Sequence, residues 1–115
     1  MDREAFSRGV ALFNSGHFFD AHEVLEDVWR AAPEPERRFL QGLIQLAVAF
    51  HHRSTGNLVG AASLMKRGAR NLSSYPDHFG GIELGALREA IREWHQAMDT
   101  GGPPPSLPRI KFVGC

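Results

Sequence analysis

The chain reads as an all-α protein: a compact five-helix bundle of antiparallel helical hairpins with an extended proline-rich C-terminal tail. Three observations lead there. Apolar residues recur at three- and four-residue spacing in five segments separated by Gly, Pro and Asn. No segment alternates with the two-residue period of a strand. The pattern Gly16-x-Phe18-x-x-Ala21-x-x-x-Leu25 returns forty residues later as Gly56-x-Leu58-x-x-Ala61-x-x-x-Met65.

The first helix is expected from about Asp2 to Ser15, with Ala5, Phe6, Gly9, Val10, Leu12 and Phe13 at helical spacing, Asp2 as N-cap and Gly16 as a left-handed stop. The second, from about Phe18 to Ala32, buries Phe18, Ala21, Leu25, Val28 and Trp29 and stops before Pro33. A third begins near Pro35 and runs to about Ser54. Its centre, Phe39 to Phe50, is apolar almost all round, which marks it as the central helix. The fourth, about Leu58 to Ser74, turns Leu58, Ala61, Leu64, Met65, Gly68 and Leu72 inward. A polar loop, Tyr75 to Gly81, leads to a fifth helix over about Glu83 to Asp99, with Leu84, Leu87, Ile91, Trp94 and Met98 as its stripe. The domain is taken as 1–102. The tail, 103–115, is held extended by its prolines and lies back across the bundle through Ile110, Phe112 and Val113. The repeated hairpin resembles that of tetratricopeptide repeats, and Phe13 through Ala21 is the closer copy; two hairpins are too few for an open solenoid, so they close into a bundle.

A chain of 115 residues has room for one core without a metal or disulfide staple. Thirteen Lys and Arg balance thirteen Asp and Glu, which argues against attachment to nucleic acid or anionic membrane by net charge alone. The single cysteine, Cys115, staples nothing internally and is a poor nucleophile at a chain end. The first residues lack a signal peptide's apolar stretch, and the longest apolar run, Leu46 to Phe50, is too short to cross a bilayer, so a cytoplasmic protein is expected. Charge is nonetheless segregated. Residues 17–36 hold six acids against Arg30 alone; residues 37–75 hold six bases and no acid. Neighbouring helices either offset one another through exposed pairs, or Arg53, Lys66, Arg67 and Arg70 form an anion site for a phosphorylated ligand or an acidic partner. No recognition motif, aromatic platform or Gly-rich phosphate loop points those bases at nucleic acid.

Burying a polar group costs several kcal/mol unless it is partnered, so polar residues within apolar patterns mark candidate sites. On the second helix His22, Glu26 and Trp29 fall at i, i+4 and i+7; on the third, Gln41, Gln45 and His52 form a seam beside the small residues Gly42 and Ala49. If the two helices pack antiparallel, His22 comes near His51 and His52, and Glu26 near Gln45. Small residues beside such a seam leave room for another backbone, a water or a ligand. The spacing His22-Glu23-x-x-Glu26 is the zinc-protease pattern with its second histidine replaced by a carboxylate: His22 and Glu26 are candidate ligands of a divalent metal, a third would come from His51, His52 or Gln45, with His52 favoured on the seam, and Glu23 is a candidate base on metal-bound water. Read structurally, the same residues form an internal network that fixes helix register. There is no Glu-x-x-His, Cys pair, Gly-x-Ser-x-Gly or P-loop. The function expected is thus a binding or structural module with a polar cluster between helices 2 and 3. The alternatives are a metal-dependent hydrolase or small-ligand binder at that cluster, and an anion-binding adaptor. Phe19 and the tail are candidates for contact with a protein partner or a second copy.

The run from Phe13 through Ala21-His22-Glu23-Val24-Leu25-Glu26-Asp27-Val28-Trp29, with Phe39 through Gln45, His51-His52 and Gly56-Asn57, resembles a family of small prokaryotic proteins catalogued as domain of unknown function 309. The likeness extends from about Ala5 to Leu84. It implies a compact all-helical fold and no established activity, although members have been labelled predicted metal-dependent hydrolases. It also implies weight at His22, Glu23, Glu26, Trp29, Gln41, Gln45 and His52.

Overall fold

The computed structural model describes residues 1–114, so Cys115 lies outside the described residues. Five α-helices follow in order: α1 (Arg3–Asn14), α2 (Phe18–Ala31), α3 (Glu36–Ser54), α4 (Leu58–Leu72) and α5 (Leu84–Thr100). The fold is all-α, as its periodicity predicts. Between α4 and α5 the expected polar loop instead contains a small hairpin, β1 (His78–Phe79) and β2 (Ile82–Glu83), turning at Gly80 and Gly81. Strands of two residues are too short for any alternating pattern to announce them.

The forty-residue echo is a repeated turn. After α1, His17 N–H donates to Leu12 O at 2.9 Å and Gly16 N–H to Phe13 O at 3.1 Å; after α3, Asn57 N–H donates to His52 O at 2.9 Å and Gly56 N–H to Arg53 O at 3.1 Å. Each is a Schellman stop that needs a left-handed residue, and Gly16 and Gly56 supply it at φ +81° and +87°. At the other end of α1, Asp2 accepts the Ala5 N–H at 3.1 Å, the N-cap its position suggests. Asn57 does the same for α4, accepting the Gly60 N–H at 2.9 Å.

The helices pack in sequence, α1 on α2, α2 on α3, and α3 on α4, with α5 against α4. Phe6, Phe13, Phe18, Phe39, Phe50 and Trp94 fill the interior around α3. Their rings meet mostly edge to face: Phe13 to Phe18 and Phe50 to Trp94 both at 5.2 Å between centroids. Two apolar residues depart from expectation. Leu58, the first residue of α4, is 58% exposed, and Trp29 is only half-buried, with the Arg37 guanidinium 4.0 Å over its ring.

Small residues set the tightest approach. A methyl group on Gly68 would stand 3.0 Å from Gly42 O and 2.9 Å from Leu46 Cδ2, and one on Gly42 would meet Leu72 Cγ at 2.7 Å. The backbone for which Gly42 makes room is therefore that of α4.

The tail is a strap. Asn14 donates from Nδ2 to Ile110 O at 2.9 Å and accepts the Ile110 N–H at Oδ1, 2.7 Å. Trp94 Nε1 donates to Ser106 O at 2.9 Å. The tail then adds to the hairpin, with Glu83 N–H to Lys111 O at 2.8 Å, Val113 N–H to Gly81 O at 2.9 Å, and Ile82 opposite Phe112. Ile110 is buried; Phe112 and Val113 remain partly exposed. Tyr75 ties the loop to the start of α3 by donating to Pro35 O, and burial, then the charge of Glu34, hold its phenol above the ordinary tyrosine range.

Two stability outcomes follow. Gly68→Ala lowers the unfolding free energy by about 1–3 kcal/mol in chemical denaturation, because one blocking atom is a backbone carbonyl that cannot rotate away. Asn14→Ala costs about 1–3 kcal/mol and speeds amide exchange at Ile110 and Val113 while sparing α3, since the bonds lost anchor the tail.

Candidate functional site

On α2, His22 and Glu26 do face one another, one turn apart. His22 Nε2 lies 3.0 Å from Glu26 Oε2, and the other oxygen of Glu26 accepts from Arg30 at 2.8 Å. Arg30 also reaches Asp27 Oδ1 at 2.7 Å. The carboxylate thus joins a half-buried histidine to an exposed arginine on its own helix. Glu23 is exposed and stands outside this network.

The amides of α3 do not join it. Gln45 turns to α4, where its Oε1 accepts from Asn71 Nδ2 at 2.7 Å; Arg38 Nε donates to Asn71 Oδ1 at 3.3 Å. Gln41 is exposed. His52 closes the α3–α4 turn with Nδ1 3.5 Å from Asn57 Nδ2. The expected meeting of Glu26 with Gln45, and of His22 with His52, is therefore corrected. Gln45 and His52 share one stripe of α3, and that stripe borders α4. His51, about 100° round the helix, borders α2 instead. Its ring sits 5.2 Å from Phe19, which in turn lies 5.5 Å from His22. Phe19 thus contacts both histidine rings.

This arrangement does not fit a metal. Among the described residues no three His, Cys, Asp or Glu side chains group as a ligand set. His22 and Glu26 already hold each other, and His52, its ring 6.1 Å from that of His51, turns to Asn57 at the α3–α4 turn. Two ring nitrogens on the α2 face, His22 Nδ1 and Trp29 Nε1, are buried without a hydrogen-bond partner among the described residues. Both are shut from solvent.

A concavity lies elsewhere, between α4 and α5. A groove of about 590 Å³ is floored by Met65, Ala69 and Ile91 and rimmed by Lys66, Arg88, Arg92, His95, Gln96 and Asp99. A depression of about 290 Å³ adjoins it, lined by Ser63, Lys66, Arg67 and Arg70 with His95 and Asp99. Arg88 is bound to Asp77 at 2.7 Å and to Tyr75 O at 2.9 Å, Arg92 to Glu89, and His95 Nδ1 lies 3.3 Å from Asp99 Oδ2. Lys66, Arg67 and Arg70 form no ion pair among the described residues. The fourth base expected with them, Arg53, stands apart, its guanidinium 4.6 Å over the Trp94 ring in a separate apolar depression with Leu58 and Val59. The sequence reading missed the α5 side of the groove, although Arg88, Arg92 and His95 carry a legible i, i+4, i+7 spacing.

Replacing His22 with alanine is expected to cost about 1 kcal/mol, since Glu26 keeps Arg30 and stays half in solvent. Zinc should leave the melting temperature of both proteins unchanged in a thermal-shift titration; stabilisation of the wild type alone would restore the metal reading.

Comparison with known proteins places the chain in a family and leaves the chemistry open. The chain is 35% identical over 96% of its length to an uncharacterized protein of Aquifex aeolicus (strain VF5), of which it spans 33%. It is 34% identical over 72% of its length to the uncharacterized protein YpuF of Bacillus subtilis (strain 168), of which it spans 49%. The chain thus spans a third to a half of the length of these relatives. A family profile matches residues 6–64, from α1 through α2 and α3 into the first half of α4, which includes the His22–Glu26 pair and the glycine turns, and on that match the chain belongs to the family described as Domain of unknown function (DUF309).

Proposed function

We propose that the protein is a helical binding module for an acidic polypeptide, working through the cationic α4 face and the groove beside it, with the His22–Glu26–Arg30 network serving register and not catalysis. One observation carries this reading: α4 holds Lys66, Arg67 and Arg70 on one stripe with no acid anywhere in the helix and no ion pair to any of the three among the described residues. Like charges three and four residues apart destabilise a helix by a few tenths of a kcal/mol each, and solvated helix faces ordinarily alternate in sign. An uncompensated stripe beside an apolar-floored groove fits a partner that brings the missing charge. The absence of an aromatic stacking platform on α4 favours a polypeptide over nucleic acid.

The module comprises 1–102, with the described tail residues 103–114 as its strap. A cytoplasmic setting goes with the reading, supported by a single cysteine in 115 residues. Among the described residues no helix is long and apolar enough to cross a membrane.

A fluorescently labelled decaglutamate peptide tests the proposal. Binding measured by anisotropy should weaken as salt rises, and Arg67→Glu/Arg70→Glu should lower affinity about tenfold or more with the melting temperature unchanged. Equal binding by the double variant overturns the reading, and preference for a labelled DNA strand over the peptide replaces it with a nucleic-acid one.

A further inference from the structure

The two charged faces of this molecule do not meet within it. α2 and α4 both pack on α3, from different sides. On α2, Phe19, Asp20, Glu23 and Asp27 fall within an arc of about 100°, and all four are exposed, Phe19 by 50%. Among the described residues Asp20 and Glu23 form no ion pair, and Asp27 pairs only with Arg30 one turn along. On α4, Ser63, Lys66, Arg67 and Arg70 fall within a similar arc on the side away from Ala61, Met65, Gly68 and Leu72, which face the core. Among the described residues the exposed pairing that would let adjacent helices offset one another is absent: the acids of α2 that have partners find them on α2, and the bases of α4 find none.

An acidic stripe that carries an exposed phenylalanine and a basic stripe that borders an apolar-floored groove are complementary in charge and in shape. We infer that the acidic partner of the α4–α5 face is the α2 face of a second copy of this chain. This rests on the reading of α4 as an acid-binding surface and names its occupant. In the contact, Asp20 and Glu23 of one copy face Lys66 and Arg67 of the other, and Phe19 enters the groove over Met65, Ala69 and Ile91, bringing the apolar burial that exposed ion pairs lack. Because the faces are unlike, two copies pair reciprocally or copies join head to tail. Either way the association rises with protein concentration and falls with salt.

Sedimentation velocity on the full chain, from about 0.05 M to about 1 M NaCl, where the screening length shrinks to roughly 3 Å, provides the test. The wild type should associate at low salt and dissociate at high salt. Asp20→Lys/Glu23→Lys and Lys66→Glu/Arg67→Glu should each weaken association about tenfold with circular dichroism and melting temperature unchanged, and an equimolar mixture of the two should associate again, since each supplies the face that the other complements. A wild type that stays monomeric at every concentration, or a mixture no better than its components, overturns the inference. The decaglutamate titration separates that failure from the other: binding with a monomeric wild type leaves the α4 face an acid-binding surface with a different partner. No peptide binding together with salt-dependent, mixture-rescued association confirms the self-contact and withdraws the broader reading.

Discussion

The approach of the α3 and α4 backbones at Gly42 and Gly68 is the constraint on which the surface of this protein depends. With no β-carbon at either position, Gly42 O and Gly68 O come within 3.0–3.2 Å of where each other's Cβ would stand, while Leu46 and Leu72 close over the crossing. Such close packing fixes the rotation of α4 about its own axis as well as its distance from α3. Once Ala61, Met65, Gly68 and Leu72 are turned to the core, the three-to-four-residue spacing of Ser63, Lys66, Arg67 and Arg70 puts them on the outward side. The same rotation brings Asn71 to Gln45, and the seam that the sequence offers as a ligand site becomes a hydrogen bond between helices.

The His22-Glu23-x-x-Glu26 pattern shows how a short motif can contain sound geometry and still mislead about chemistry. One-turn spacing does place His22 against Glu26, as the residues predict. A catalytic metal needs convergence from a second helix, and convergence depends on the rotation of α3, which no local spacing contains. Here α3 presents His51, not His52, to α2, where its ring meets Phe19. The carboxylate is instead drawn along its own helix to Arg30, and His22 and Trp29 each keep a buried ring nitrogen with no hydrogen-bond partner among the described residues.

Asn14 illustrates the other side of that limit. It lies in the long run that carries the family likeness, yet nothing local distinguishes it from an ordinary residue before a glycine turn. Its role appears only when residues 96 positions apart in the chain meet, because both of its amide groups are spent on the backbone of Ile110. The tail's course was foreseeable from its prolines and from Ile110; the hairpin it completes was not, because two-residue strands leave no periodic trace.

The sequence by itself determined the helices, their stops and the two glycine turns, since these depend on residues within one or two turns of each other: Asp2 and Ala5, Leu12 and His17, His52 and Asn57. It also determined the segregation of acids and bases along the chain, a matter of counting. Only the tertiary structure decided which way each stripe faces, that α5 contributes Arg88, Arg92 and His95 to a groove with α4, and that acidic α2 and basic α4 lie apart on α3. The reason is physical. Local hydrogen bonds fix the backbone of a helix, but its rotation and its neighbours are fixed by contacts between residues far apart in sequence, here the meeting of two glycines twenty-six positions apart.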